Sequence, residues 1–185
     1  MKKFPLLFAS LIFLLSCDNE KKDDVTTGKV NEVKTLASIS LPYEVQYKDL
    51  APGDPNHAKL VLDFFKLWDN NRLNDGKPML NDSVAVDFAD GTKFAGTADS
   101  LIAMGNKFRS NYSAVKTTMD ACMSVRSDSK DEDWVLVWEK SYKTDQKGKI
   151  DSMAGHSFWK IQKGKIAYWG ELEAKLAPAS STSGK

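Results

Sequence analysis

From Asp133 to Glu173 the chain alternates large apolar and polar residues between two glycine-containing turns. Asp133-Trp134-Val135-Leu136-Val137-Trp138-Glu139 leads to the turn Asp145-Gln146-Lys147-Gly148. His156-Ser157-Phe158-Trp159-Lys160-Ile161 leads to the turn Gln162-Lys163-Gly164-Lys165. Ile166-Ala167-Tyr168-Trp169-Gly170-Glu171-Leu172-Glu173 follows. Short apolar runs of this kind, bounded by turn residues, predict three antiparallel strands. Glycine in each turn can take the positive φ that tight hairpins need. A two-residue turn at Lys163-Gly164 places Ile161 opposite Ile166, Phe158 opposite Trp169 and His156 opposite Glu171, and a four-residue loop gives the same pairs. The even-numbered versions of the preceding turn put His156 on the face of Glu139 and Ser141. Because side chains alternate along a strand, one face then collects Val135, Val137, Glu139, His156, Phe158, Ala167, Trp169 and Glu171. The other collects Trp134, Leu136, Trp138, Tyr142, Met153, Trp159, Ile161, Ile166, Tyr168 and Leu172. Antiparallel sheets usually keep one wet face, and here both are rich in large apolar groups.

The preceding chain carries helical and strand signals in turn. Asp54-Pro55 opens a helix, with Asp as N-cap and Pro at the first helical position. Val61, Phe64, Phe65 and Trp68 fall on one face of it, and it ends around Asn70-Asn71-Arg72. His57, in its first turn, reads as exposed. Asn74-Asp75-Gly76 predicts a turn and Lys77 to Asn81 a short helix. Ser83 to Phe88 and Lys93-Phe94 predict short strands around Asp90-Gly91. Thr97 or Asp99 caps a second helix with Leu101, Met104, Phe108 and Tyr112 as its buried stripe. Ala114 to Arg126 is a further strand. Helices segregated before an antiparallel sheet make an α+β domain.

The amino terminus predicts an address. Met1-Lys2-Lys3 is basic, Phe4 to Leu15 is an apolar run too short to span a bilayer, and Leu14-Leu15-Ser16-Cys17 closes it. These four residues resemble the bacterial lipobox, which implies removal of residues 1–16 and lipidation of Cys17. The acidic stretch Asp18 to Asp24 resembles the export signals of Bacteroidetes-type lipoproteins. The resulting expectation is a lipid anchor in the bacterial envelope, at the outer membrane and either periplasmic or surface-exposed. Residues 17–53 read as tether and linker, in which Tyr43 to Tyr47 forms an edge strand or strap. Residues 54–176 form the domain and 177–185 a disordered Ser-rich tail. Loss of Lys2 and Lys3 takes the net charge from +1 to −1. No basic patch with interleaved aromatics remains, which excludes nucleic acid as a partner. With Cys17 lipidated, Cys122 has no disulfide partner, and no base near it in sequence marks it as catalytic.

The element order, with Phe64-Phe65-Lys66-Leu67-Trp68, Asn74-Asp75-Gly76, Asp82-Ser83-Val84, Asp90-Gly91, Gly96, Gly164-Lys165-Ile166, Trp169 and Glu171, resembles the nuclear transport factor 2-like superfamily. This is the cystatin-like cone that includes SnoaL-type polyketide cyclases. The resemblance spans His57 to Glu173 and implies a cone-shaped, curved antiparallel sheet packed on N-terminal helices. It implies no single activity, because the superfamily holds dehydratases, isomerases, cyclases, epoxide hydrolases and non-catalytic modules. In SnoaL-type cyclases an Asp on the last strand works as acid or base. Aligned on Gly164-Lys165-Ile166, Glu171 takes its place, with Gly170 interrupting the family's aromatic-acidic pair. Asp87 and Tyr112 are candidate further members of a pocket set.

The candidate site is a His156–Glu171 dyad with Glu139, Phe158 and Trp169 around it. Burial raises a carboxyl pKa and lowers that of a histidine, which makes either a usable acid or base. The same groups could hold a small apolar or amphipathic ligand without chemistry, or form a cross-strand hydrogen bond of structural value only. One histidine on the wall is too few to predict a metal, and no motif implies a cofactor. Trp134, Trp138, Trp159 and Tyr168 on the opposite face predict a homodimer interface. Three functions follow: a binder of small amphipathic molecules, a SnoaL-like acid–base enzyme, and a non-catalytic dimeric interaction module.

Overall fold

The computed structural model describes residues 36–177. The predicted leader, Cys17, most of the tether and the tail from residue 178 lie outside the described residues. Within them, a 3₁₀ turn at Leu36–Ser38 precedes β1 (Ala51–Pro52), α1 (Pro55–Asp69) and a second 3₁₀ stretch at Leu73–Met79. Then come β2 (Leu80–Asp87), β3 (Lys93–Thr97), α2 (Ala98–Arg109), β4 (Tyr112–Ser127), β5 (Glu132–Asp145), β6 (Ile150–Gln162) and β7 (Lys165–Lys175). Seven strands form one curled sheet in the order β1-β4-β5-β6-β7-β2-β3. The α+β cone expected from the sequence is present. One expectation needs correcting: the sheet is mixed, because β2 lies beside β7 in parallel.

Both helices begin where side-chain caps satisfy their free N–H groups. The Asp54 carboxylate accepts from the Asn56 N–H at 2.8 Å and Pro55 fills the first position. Thr97 Oγ1 accepts from the Ser100 N–H at 3.2 Å. At the end of α1, Asn71 takes a φ of 56°. The Asn71 N–H bonds Trp68 O at 3.2 Å and the Arg72 N–H bonds Leu67 O at 2.8 Å, a Schellman closure. The predicted turn at Asn74-Asp75-Gly76 and helix at Lys77–Asn81 are one continuous 3₁₀ stretch instead. It is pinned because Gly76 sits under the Phe64 ring, where a Cβ would come within 2.8 Å of Phe64 Cε2.

Two local features set the register of the wall. The Asp145 turn has three loop residues, Gln146, Lys147 and Gly148. The Asp145 N–H donates to Lys149 O, its carboxylate accepts from the Lys147 and Lys149 N–H groups, and Gly148 carries a φ of 84°. An odd loop reverses the parity of β6 against β5, so Trp138 faces His156 and Val135 faces Trp159. The next turn has two residues, with Lys163 and Gly164 at φ 52° and 72°, as a primed hairpin turn requires. Ile161 faces Ile166 as expected, but the pairing then slips. Ala167 is the extra residue of a bulge, which puts Trp169 opposite Trp159 and Glu171 opposite Ser157. The two odd steps cancel between β5 and β7. Glu139, Trp169 and Glu171 therefore share the inner face as expected, whereas His156 and Phe158 move to the outer face. Met153, Trp159 and Ile161 move inward.

The core lies between α1, α2 and the inner face. It holds Val61, Phe64, Leu73, Leu80, Val84, Val86, Leu101, Ile102, Val135, Val137, Trp159, Ile161, Ile166 and Trp169. Of the predicted α2 stripe, Leu101 is buried, while Met104 and Phe108 are exposed because they border an open cleft. Tyr43 to Tyr47, expected as an edge strand or a strap, form no strand, and contacts at Tyr47 and Asp49 tie this stretch to the sheet. The Tyr47 ring meets Trp134 edge-on at 6.3 Å and its hydroxyl donates to Glu132 at 2.7 Å. Asp49 accepts from Ser127 Oγ and the Ser129 N–H, each at 2.7 Å. On the outer face the Phe158 ring covers Gly170, where a Cβ would fall 2.3 Å from Phe158 Cζ. Gly170→Ala is therefore expected to cost about 1–3 kcal/mol through overpacking. A urea titration reads this as a lower midpoint, and an unshifted midpoint would mean that the ring moves aside freely.

Candidate functional site

A cleft of about 450 Å³ opens between the helices and the inner face of the sheet. Its apolar side comes from Phe64, Phe65 and Trp68 of α1 and from Leu101, Ile102, Met104, Gly105 and Phe108 of α2. Phe88, Ala89, Asp90 and Thr92 contribute from the β2–β3 turn. Trp159 and Trp169 form its aromatic floor, stacked at 4.7 Å with 18° between their planes. Phe65 meets Trp159 edge-on at 5.4 Å. Alternation on β5, β6 and β7 then delivers a polar wall beyond the tryptophans, made of Glu139, Ser141, Lys143, Ser157, Glu171 and Glu173.

The wall is wired in part. Trp159 Nε1 donates to Ser157 Oγ at 2.9 Å and Trp169 Nε1 donates to Glu171 Oε1 at 2.7 Å. Ser157 Oγ lies 3.4 Å from Glu139 Oε1, and Lys143 Nζ pairs with Glu173 Oε1 at 3.3 Å. Glu139 lies across Gly155, where a Cβ would come within 2.6 Å of its Oε1, so the glycine makes room for the carboxyl. Two polar atoms are left over. Glu139 Oε2 and Ser141 Oγ are buried with no hydrogen-bond partner, and Ser141 is only 9% exposed. Buried polar atoms without partners are costly and uncommon.

Burial pushes the Glu139 carboxyl up to about 7, and the charge on Glu171 adds to the effect. Glu171 is also raised by burial, against the Trp169 N–H bond that favours its charged form. The folded chain thus holds a proton on Glu139 where the unfolded chain has lost it. This contribution to stability is present in the acid range and disappears as pH rises through about 7. Glu139→Gln is expected to flatten that decline, seen in denaturant midpoints measured across the interval; an equally steep decline in the variant would assign it to other groups.

The structure separates the predicted dyad. His156 sits on the outer face, its ring stacked on Trp138 at 4.6 Å and its Nδ1 2.9 Å from Val137 O. Phe158 lies on the same face near Trp134 and Tyr168, at 6.3 and 6.1 Å. Asp87 is turned outward to Lys93 at 2.8 Å and to the Tyr168 hydroxyl at 3.3 Å. Tyr112 packs edge-on against Phe108 at 5.5 Å, behind the cleft lining. Of the candidates, Glu139, Glu171 and Trp169 meet in the cleft. Trp134, Trp138 and Tyr168 lie on the outer face as expected, while Trp159 is in the core at 3% exposure. His57 is half-buried, its Nδ1 3.9 Å from Asp133. Ser157 and Lys143 carry no mark in the sequence, and Ser141, expected on the face of Glu139, has no feature there that singles it out as a site residue. Among the described residues no group of three His, Cys, Asp or Glu side chains is placed to hold a metal.

No family model and no curated protein matches the chain. Solved structures do. An LEH-like epoxide hydrolase from M. tuberculosis superposes with a TM-score of 0.56 at 9% identity, covering 65% of this chain and 84% of its own. A SnoaL-like protein from Shewanella denitrificans OS-217 gives 0.54 at 14%, covering 65% and 92%. A nuclear transport factor 2-like protein of unknown function from Exiguobacterium sp. 255-15 gives 0.50 at 15%, covering 62% and 98%. With a curled sheet, helices on its concave side and a cleft between them, the chain has the nuclear transport factor 2-like cone fold.

Proposed function

We propose that this chain is a lipid-anchored envelope protein whose cone binds a small amphipathic molecule. One observation carries the binding reading: two buried polar atoms, Glu139 Oε2 and Ser141 Oγ, stand without partners on the wall of a largely aromatic and aliphatic cleft. A ligand with an apolar body and a donor head supplies what they lack, and sites of this composition are typical of small-molecule binding. Native mass spectrometry of the gently purified full chain tests it. The expected result is a discrete added mass that Ser141→Leu removes by filling the polar end. A chain that stays empty through extraction and through incubation with a lipid and metabolite extract contradicts it.

A second reading, acid–base catalysis, draws support from Glu139. A carboxyl that titrates near 7 beside another raised carboxyl can hold or accept a proton at neutral pH. Turnover lost in Glu139→Gln with the fold intact would favour it over binding alone. The anchor rests on the sequence from Lys2 to Cys17. Cys17→Ser is expected to move the protein from the membrane fraction to the soluble one, and an unchanged distribution would refute lipidation at that residue.

A further inference from the structure

We propose that the head of the bound molecule is a positively charged amine; this rests on the binding reading above and names the class of ligand. Glu139 Oε2 and Ser141 Oγ are both unpartnered, and the Glu171 carboxyl accepts from Trp169 at Oε1. Glu139, Ser141 and Glu171 line one wall of one cleft. With Glu139 ionised, the wall offers two carboxylates and one hydroxyl that can accept or donate, so it asks for donors. An ammonium brings three donors and no acceptor, whereas a hydroxyl brings one donor.

Charge points the same way. The charged residues lining the cleft are Asp90, Glu139, Glu171, Glu173 and Lys143, and Lys143 already pairs with Glu173. No arginine or histidine lines it to receive an anion. Cys122, partly buried on β4, feels the Glu139 charge and adds no positive group. The helical side presents only apolar side chains and Gly105. Below the wall the stacked pair Trp159 and Trp169 closes the floor with apolar surface. A cation also relieves the repulsion between neighbouring carboxylates, so its binding draws Glu139 into the ionised form. An anionic ligand meets that repulsion undiminished. The apolar body of the amine lies along Phe64, Phe65 and Trp68, whose side chains continue the cleft from the floor.

Calorimetry on the full chain with phenylbutylamine, phenylbutanol and phenylbutyrate tests this, because the probes share a skeleton and differ in head charge. At about pH 8 the amine is expected to bind about tenfold more tightly than the alcohol, with the carboxylate weakest. Glu171→Gln should shrink the gap between amine and alcohol to about threefold or less. Should that variant fail to fold, pH serves instead: at about pH 5.5 the wild-type gap should narrow as Glu139 takes up its proton. If the alcohol binds as well as the amine, or the carboxylate binds best, the cationic head is refuted and the binding reading stands. If no probe binds at either pH, both fall.

Discussion

Trp159→Ala is expected to destabilise the domain by about 3–5 kcal/mol, the range for removing a large aromatic side chain from a packed core. Its indole is 3% exposed, stacks on Trp169, meets Phe64 and Phe65 edge-on, and donates to Ser157. It joins the inner sheet to α1 and roofs the core beneath the cleft. The loss should appear as a large drop in the urea midpoint. A midpoint within error of wild type would mean that the helix and sheet pack independently of this ring. Trp138 makes the contrast, being 38% exposed on the outer face, where Met123 and Leu172 are exposed as well. We propose that this strip meets its counterpart in a second copy. Trp138→Lys should leave the midpoint nearly unchanged and lower the sedimentation mass of the wild type to that of one chain. An unaltered mass would refute dimerisation through this face.

Arg109→Ala is the second large effect, expected at about 2–4 kcal/mol. Arg109 is 4% exposed at the end of α2. Its Nε donates to Trp68 O at 3.1 Å, its Nη2 to Asp69 O at 3.2 Å and its Nη1 to Tyr112 O at 2.8 Å. One guanidinium therefore satisfies the last carbonyls of α1 and the first of β4, and it complements the negative end of the α1 dipole. Removing it takes a donor from three carbonyls at a junction of two helices and a strand, and of these Trp68 O keeps the Asn71 N–H. Arg109→Lys should recover less than half of the loss, because an ammonium cannot reach three carbonyls in the geometry of the fork. Full recovery in the lysine variant would show that charge alone matters there.

What the sequence carried and what it hid separate along physical lines. Periodicity located every long element, since helices and strands repeat by their own geometry. The caps at Asp54 and Thr97 were readable because they are local. Strand parity was not, because it depends on whether a turn or bulge adds an odd residue. The glycines at 148 and 164 look alike in sequence. Yet the first closes a three-residue loop held by the Asp145 carboxylate, and the second a two-residue one. Ala167 carries no mark of a bulge. These two odd steps moved His156 and Phe158 out of the site and Trp159 into the core, while Glu139 and Glu171 kept their places because the steps cancel. Arg109 was hidden for another reason: an arginine at a helix end reads as a solvated residue until the carbonyls around it are known.

Glu139 keeps a partly protonated carboxyl at the polar end of the cleft at neutral pH. The most direct measurement is a carboxyl-carbon NMR titration of the glutamates, with Glu139 assigned by its Gln variant. The expected result is a midpoint of about 7 for Glu139 in the empty chain, moving down when the cleft is loaded with phenylbutylamine. A midpoint in the ordinary glutamate range, indifferent to added amine, would contradict both the buried site and the role given to it.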